Sequence, residues 1–93
     1  MERSMEIYMT AGISADVDAD KNFAGAIAHI LHRFFNNDWG NLCKSDCRLN
    51  QLAMEQGGRI LGAYNTARGR VYVITDDALA SPTVTTILYA DEY

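Results

Sequence analysis

Arg59-Ile-Leu-Gly-Ala-Tyr-Asn65, Arg70-Val-Tyr-Val-Ile-Thr75 and Thr83-Val-Thr-Thr-Ile-Leu-Tyr89 are three runs of aliphatic, β-branched and aromatic residues, each of strand length. Thr66-Ala-Arg-Gly69 separates the first two and a polar loop, 76–82, separates the second and third. Side chains alternate across a strand and β-branched residues suit a pleated surface, so the pattern predicts three consecutive antiparallel strands. The only proline, Pro82, stands just before the last run, where its missing donor does least harm to a ladder. In the middle run Val71, Val73 and Thr75 point one way and Tyr72 and Ile74 the other. Both faces are therefore largely apolar. Helices account for one, and the other calls for the N-terminal segment or a second chain, which favours a homodimer.

Upstream of that sheet, Glu6-Ile-Tyr-Met-Thr-Ala-Gly-Ile13 reads as a short strand stopped by glycine. Asp16, Asp18 and Asp20 then offer side-chain oxygens to the free N–H groups of a helix start. Over 22–36 the apolar residues Phe23, Ile27, Ile30, Leu31, Phe34 and Phe35 recur at steps of three and four, the stripe of an amphipathic helix. Asn36-Asn37 suits its end, since asparagine tolerates a left-handed backbone. Asp38-Trp-Gly-Asn-Leu42 is a compact connection in which Trp39 packs on that helix. A second helix starts at Ser45 or Asp46 and runs to about Gln56, with Leu49, Leu52, Ala53 and Gln56 spaced around it, and Gly57-Gly58 closes it. The expected fold is α+β in a single domain: two helices on a small antiparallel sheet of three C-terminal strands plus an N-terminal strand.

At 93 residues, with 48% hydrophobic and 22% charged residues, the chain has an ordinary globular composition. A chain of this length buries only about 60–65% of its unfolded surface, so a partner subunit would add to a modest core. No apolar run approaches the roughly 20 residues that cross a bilayer. Met1-Glu-Arg-Ser-Met-Glu-Ile7 lacks the basic start and apolar core of a signal peptide, which makes a cytoplasmic protein the expectation. The net charge of −4 concentrates no basic patch for phosphates, although Arg59, Arg68 and Arg70 gather around one hairpin of the sequence. Direct nucleic-acid binding is disfavoured, and an acidic protein is suited to occupying a basic protein surface.

Several constellations fall short of a chemical site. His29, His32, Cys43 and Cys47 supply zinc-ligand types, but their helical steps match no common zinc module, so no metal or cofactor is assigned. Cys43 precedes the second helix, which favours a thiolate, yet no orienting base accompanies it. The acidic start at Asp16, Asp18 and Asp20 meets Lys21 and Ile27 where a calcium loop needs glycine and glutamate. Phosphate-loop, nucleophile-elbow and zinc-protease motifs are missing. Tyr64, Tyr72 and Tyr89 fall on adjacent strands, where they can pair across the sheet.

Asp38-Trp39-Gly40 with Leu42, Asp46 and Asn50, Gly58-Arg-Ile-Leu-Gly-Ala-Tyr64, Val71-Tyr-Val-Ile-Thr75, Thr85-Thr-Ile-Leu88 and Glu92-Tyr93 together resemble a family of small proteins of bacterial plasmids and other mobile elements. The resemblance covers roughly 30–93. The chain departs from that pattern at Gly62, where serine is usual, at Tyr72, where tryptophan is usual, and at Ala90, which replaces a proline. Its loop 76–82 is longer and lacks the usual arginine. The family implies no catalytic residues. It implies an accessory protein acting by binding, such as an anti-CRISPR or anti-restriction inhibitor of a host defence nuclease. The contacts expected for such a partner are Asp76, Asp77, Tyr89, Asp91, Glu92 and Tyr93. The rival expectations are a small zinc- or thiol-dependent enzyme built on His29, His32, Cys43 and Cys47, and a dimeric DNA-binding regulator using Arg59, Arg68 and Arg70.

Overall fold

The computed structural model describes residues 4–93; the segment read for a leader begins in residues 1–3, outside the described residues. In chain order the elements are β1 (Met5–Met9), α1 (Ala11–Ala19), α2 (Lys21–Phe35), α3 (Lys44–Gln56), β2 (Ile60–Thr66), β3 (Gly69–Thr75) and β4 (Thr83–Tyr89). A 3-10 turn at Ala90–Glu92 follows β4. The fold is α+β, with three helices and a four-stranded mixed sheet of order β1-β4-β3-β2.

The C-terminal strands pair antiparallel as their alternation requires. The β2–β3 turn is tight: Thr66 faces Gly69, and the Thr66 hydroxyl donates to the Gly69 carbonyl and accepts from the Arg68 N–H. Gly69 there adopts φ +120°, a conformation open to a residue without Cβ. β4 returns antiparallel beside β3, setting Val73 opposite Ile87 and Tyr72 opposite Leu88. The mixed character comes from β1, which runs parallel to β4 with Met5 opposite Thr83 and Met9 opposite Ile87.

The N-terminal strand is shorter than the expected 6–13. Thr10 ends it: its N–H makes a last bond to the Ile87 carbonyl, and its side chain accepts from the Ile13 N–H as the cap of α1. Gly12 and Ile13 therefore belong to a helix that hydrophobic spacing did not reveal. Asp16 and Asp18 lie inside α1, leaving Asp20 alone as a cap; it accepts from the N–H groups of Asn22 and Phe23 at the start of α2. Those backbone bonds, Phe23 first, hold its carboxyl below the usual range, with Arg68 adding to the effect.

One sheet face carries the core. Ile60, Tyr64, Val71, Val73 and Ile87 meet Ile13 of α1, Phe23, Ile27, Ile30 and Phe34 of α2, Trp39 and Ala53 of α3 in one buried cluster. Fifteen residues of α2 present this stripe as their spacing requires, and Asn37 at φ +65° turns the chain out of the helix. Of the residues spaced around α3, Leu49 and Leu52 are 62% and 47% exposed, while Ala53 is buried together with Asn50. The reason lies at the sheet edge, where the Asn50 amide donates to the Leu61 carbonyl at 2.8 Å and accepts from its N–H at 3.1 Å.

The same edge of β2 is sealed further along. Ala63 N–H donates to the Trp39 carbonyl and the Ala63 carbonyl accepts from Asn41 N–H. Gly40 sits at this junction with φ +75°, and a Cβ there would fall 2.1 Å from the Ala63 carbonyl oxygen. The buried Tyr64 hydroxyl donates to the Asp38 carbonyl at 2.7 Å, fastening the connection from the core side. The opposite edge, β1, is exposed along its whole length.

Candidate functional site

The helices' buried apolar residues all join one face of the sheet. On the other face, register and alternation set Leu61, Ala63, Tyr72, Ile74, Val84, Thr86 and Leu88 side by side. Ile74 and Leu88 are buried among these neighbours, while Leu61, Tyr72, Val84 and Thr86 are half-exposed. Of the two covers expected for this face, the N-terminal segment or a second chain, the described N-terminal strand pairs at the edge instead, and among the described residues the C-terminal turn is what lies over the face.

Across it runs a ladder of two rings held between two cations. The Arg59 guanidinium lies 4.9 Å from the Tyr93 ring, Tyr93 meets Tyr72 edge to face at 5.8 Å, and Arg70 stands 5.7 Å from the Tyr72 ring. A guanidinium over an aromatic face is attracted by the ring quadrupole and ordered by it. Arg70 is further fixed by donating to the Asn41 carbonyl. Tyr93, 68% exposed, is the outermost member. The expected grouping of three arginines around the hairpin is corrected here: Arg59 precedes β2, at the far end from the Ala67-Arg68 turn. Across that length of strand the separation is about 20 Å. The aromatic grouping is corrected too, since Tyr64 and Tyr89 flank Val71 on the core face and Tyr72 points the other way.

The acidic and aromatic residues singled out in the sequence fall into two places. Asp76 and Asp77 follow β3, next to the start of β4, with the Asp76 N–H bonded to the Val84 carbonyl. Asp77 accepts from the N–H groups of Gly58 and Leu79, which depress its carboxyl in that order and tie the loop to the end of α3. Tyr89, Asp91 and Glu92 lie at the other end of β4, about 20 Å away by strand length, while the Tyr93 ring folds back onto Tyr72. Glu92 is engaged internally: it accepts from the Thr10 hydroxyl and from the Tyr89 N–H. Asp91 and Tyr93 are the exposed members at that end, next to the ladder.

Tyr89 belongs to a second polar group. Its hydroxyl donates to Asp16 of α1, its ring stacks on Phe23, and burial, with the Asp16 bond second, pushes its pKa up to about 12. Arg68 pairs with Asp16 at 3.4 Å and Asp20 at 3.3 Å. These groups hold one another, bracing the β2–β3 turn against the α1–α2 junction beside a hollow of about 490 Å³ lined also by Arg70 and Asp91. His29 and His32 are exposed on α2, Cys43 is exposed and Cys47 half-buried at the start of α3. Among the described residues no three His, Cys, Asp or Glu side chains converge to hold a metal ion, and no helix is long and apolar enough to cross a membrane.

The sequence pattern groups Arg59 with Arg68 and Arg70, and Tyr72 with Tyr64 and Tyr89, but not the two with each other. Their juxtaposition with Tyr93 depends on the C-terminal turn folding back over β3, which no local pattern encodes. No family model, curated protein or solved structure matches the chain.

Proposed function

We propose that this chain is a non-enzymatic protein-interaction module that presents the open face of its sheet to a protein partner. The observation that carries this reading is the Arg59–Tyr93–Tyr72–Arg70 ladder on a face without helical cover. Arginine and tyrosine are the residue types that most often anchor protein contacts, because each adds large contact area with a directed polar group. The half-exposed Leu61 and Val84 beside them supply the apolar centre that such anchors need. Asp91 at the rim adds negative charge in a chain of net charge −4, which suits a partner with a basic margin.

The finer proposal is inhibition of a host defence nuclease of the CRISPR or restriction type, the role implied by the mobile-element resemblance of 30–93. Capture from host lysate by the tagged chain, compared with a Tyr72→Ser, Tyr93→Ser variant of unchanged circular dichroism, tests the module. Loss of the captured partner by the variant is expected, and an identical captured set would remove the open face as the contact. A plasmid-interference assay in cells expressing the chain tests the finer role.

A further inference from the structure

The two edges of the sheet are treated differently. β2 is shielded by the Asn50 amide, by the backbone of Trp39 and Asn41, and by the close approach of Gly40. β1 is interrupted by neither proline nor lysine nor a bulge along Met5-Glu-Ile-Tyr-Met9, and Glu6 is its one charge. Its apolar side chains are open to solvent, with Met5 at 53%, Ile7 at 44%, Tyr8 at 53% and Met9 at 43% exposure. The bonds from Thr83 N–H to the Ser4 carbonyl and from Thr10 N–H to the Ile87 carbonyl set the phase of the parallel ladder. Even-numbered residues of β1 bond to β4, so the N–H and C=O groups of Met5, Ile7 and Met9 face outward.

The geometry points to an isologous homodimer in which β1 pairs antiparallel with β1 of a second copy, centred on Ile7, to make one continuous eight-stranded sheet. The occupant follows from the strand's self-complementarity. In this register Met5 lies opposite Met9, Ile7 opposite itself, and Glu6 opposite Tyr8, so apolar side chains meet apolar ones on one face. On the other, a carboxylate meets a phenol, a pairing already made within the chain, where Tyr8 donates to Glu6 at 2.6 Å. No like charges oppose one another. Met5 also borders an apolar hollow of about 210 Å³ lined by Phe34, Phe35, Trp39 and Met54. The second copy's Met9 would lie beside Met5 on that side of the sheet and extend its wall. Because the β2 edge is sealed, pairing stops at two copies and cannot propagate into a filament. The two-fold axis stands perpendicular to the sheet, so both arginine–tyrosine ladders face the same way. This inference stands apart from the proposed partner contact, since its test reads mass and amide exchange, not capture.

Light-scattering mass measured from micromolar to sub-millimolar concentration should rise from 10.3 kDa toward twice that value. Ile7→Lys sets two ammonium groups face to face at the axis and should weaken association by at least about thirtyfold, the size of one lost anchor contact. The Ile7 N–H of the unaltered chain, which bonds to nothing within its own sheet, should exchange slowly in concentrated solution and rapidly on dilution. A mass of 10.3 kDa throughout would overturn the proposal. So would a dimer indifferent to Ile7→Lys, or an Ile7 amide that exchanges freely in the dimer or is protected only by adding a different protein.

Discussion

Asn50 occupies the place of a neighbouring strand for Leu61: one side-chain amide satisfies both the N–H and the C=O of that residue. Its own atoms are buried, so neither Leu61 group recovers water when the amide is removed. Asn50→Leu should cost about 2–4 kcal/mol in urea unfolding, the sum expected for two stranded backbone groups. The N50D variant separates the two bonds. Its ionised carboxylate still accepts from Leu61 N–H but repels the carbonyl, whereas the protonated acid can donate to it. That folded-state pKa is raised, so the variant should come closest to the parent chain below about pH 4 and fall away as pH rises.

Gly62 has no room for a side chain. A Cβ there would lie 2.7 Å from the Tyr64 hydroxyl and 2.9 Å from the Phe34 ring. Gly62→Ser should therefore destabilise this chain by about 1–3 kcal/mol through overpacking. Thermal unfolding of the single variant checks it. Pairing it with Phe34→Leu, which clears space at the same point, should recover part of the loss.

Acid should unfold the protein through a small set of surface carboxylates. Asp20, Asp38 and Asp77 are all held below their ordinary values, by the Phe23 N–H, the Arg33 guanidinium and the Gly58 N–H respectively as the leading cause. The native state then binds fewer protons than the unfolded one, and their stabilisation is complete above the unfolded pKa near 3.9. It disappears as pH falls through the lower folded values. The thermal midpoint should drop below about pH 4, and Asp20→Asn should flatten that decline while leaving its caps partly filled by the amide oxygen.

At the alkaline end the sign reverses. Tyr89 is raised to about 12, and burial raises Tyr64 as well. Their stabilisation is complete below the unfolded tyrosine value near 10 and is lost as pH rises toward the folded values. Absorbance titration of tyrosinate should show a late component, and Tyr89→Phe should remove part of it. Coincident titration of all tyrosines in the folded protein would contradict the packing of Tyr89 against Asp16 and Phe23.

The three C-terminal strands were legible to within a residue or two, because β-branched alternation and glycine punctuation are local signals. α2 was legible for the same reason at a different period. α1 was hidden: Ala11, Gly12 and Ser14 give no apolar stripe, Ile13 is its one buried residue, and three aspartates two apart read as caps of the helix that follows. α3 was legible as a helix, but its buried face was not, because Asn50 answers an edge formed eleven residues later. The arginine–tyrosine ladder was out of reach, since Arg59, Arg70, Tyr72 and Tyr93 meet only through tertiary folding. Asp77 and Glu92, expected as partner contacts, also brace the fold, which no local pattern shows.

The parallel pairing of Met5–Met9 with Thr83–Tyr89 joins the first described strand to the last. During synthesis the first of these is made well before its neighbour, so the sheet closes late. Until then the backbone of Met5–Met9 has no strand partner. Late, long-range closure of this kind slows folding, and it makes the growing chain a client for whatever shields exposed strands in the cell.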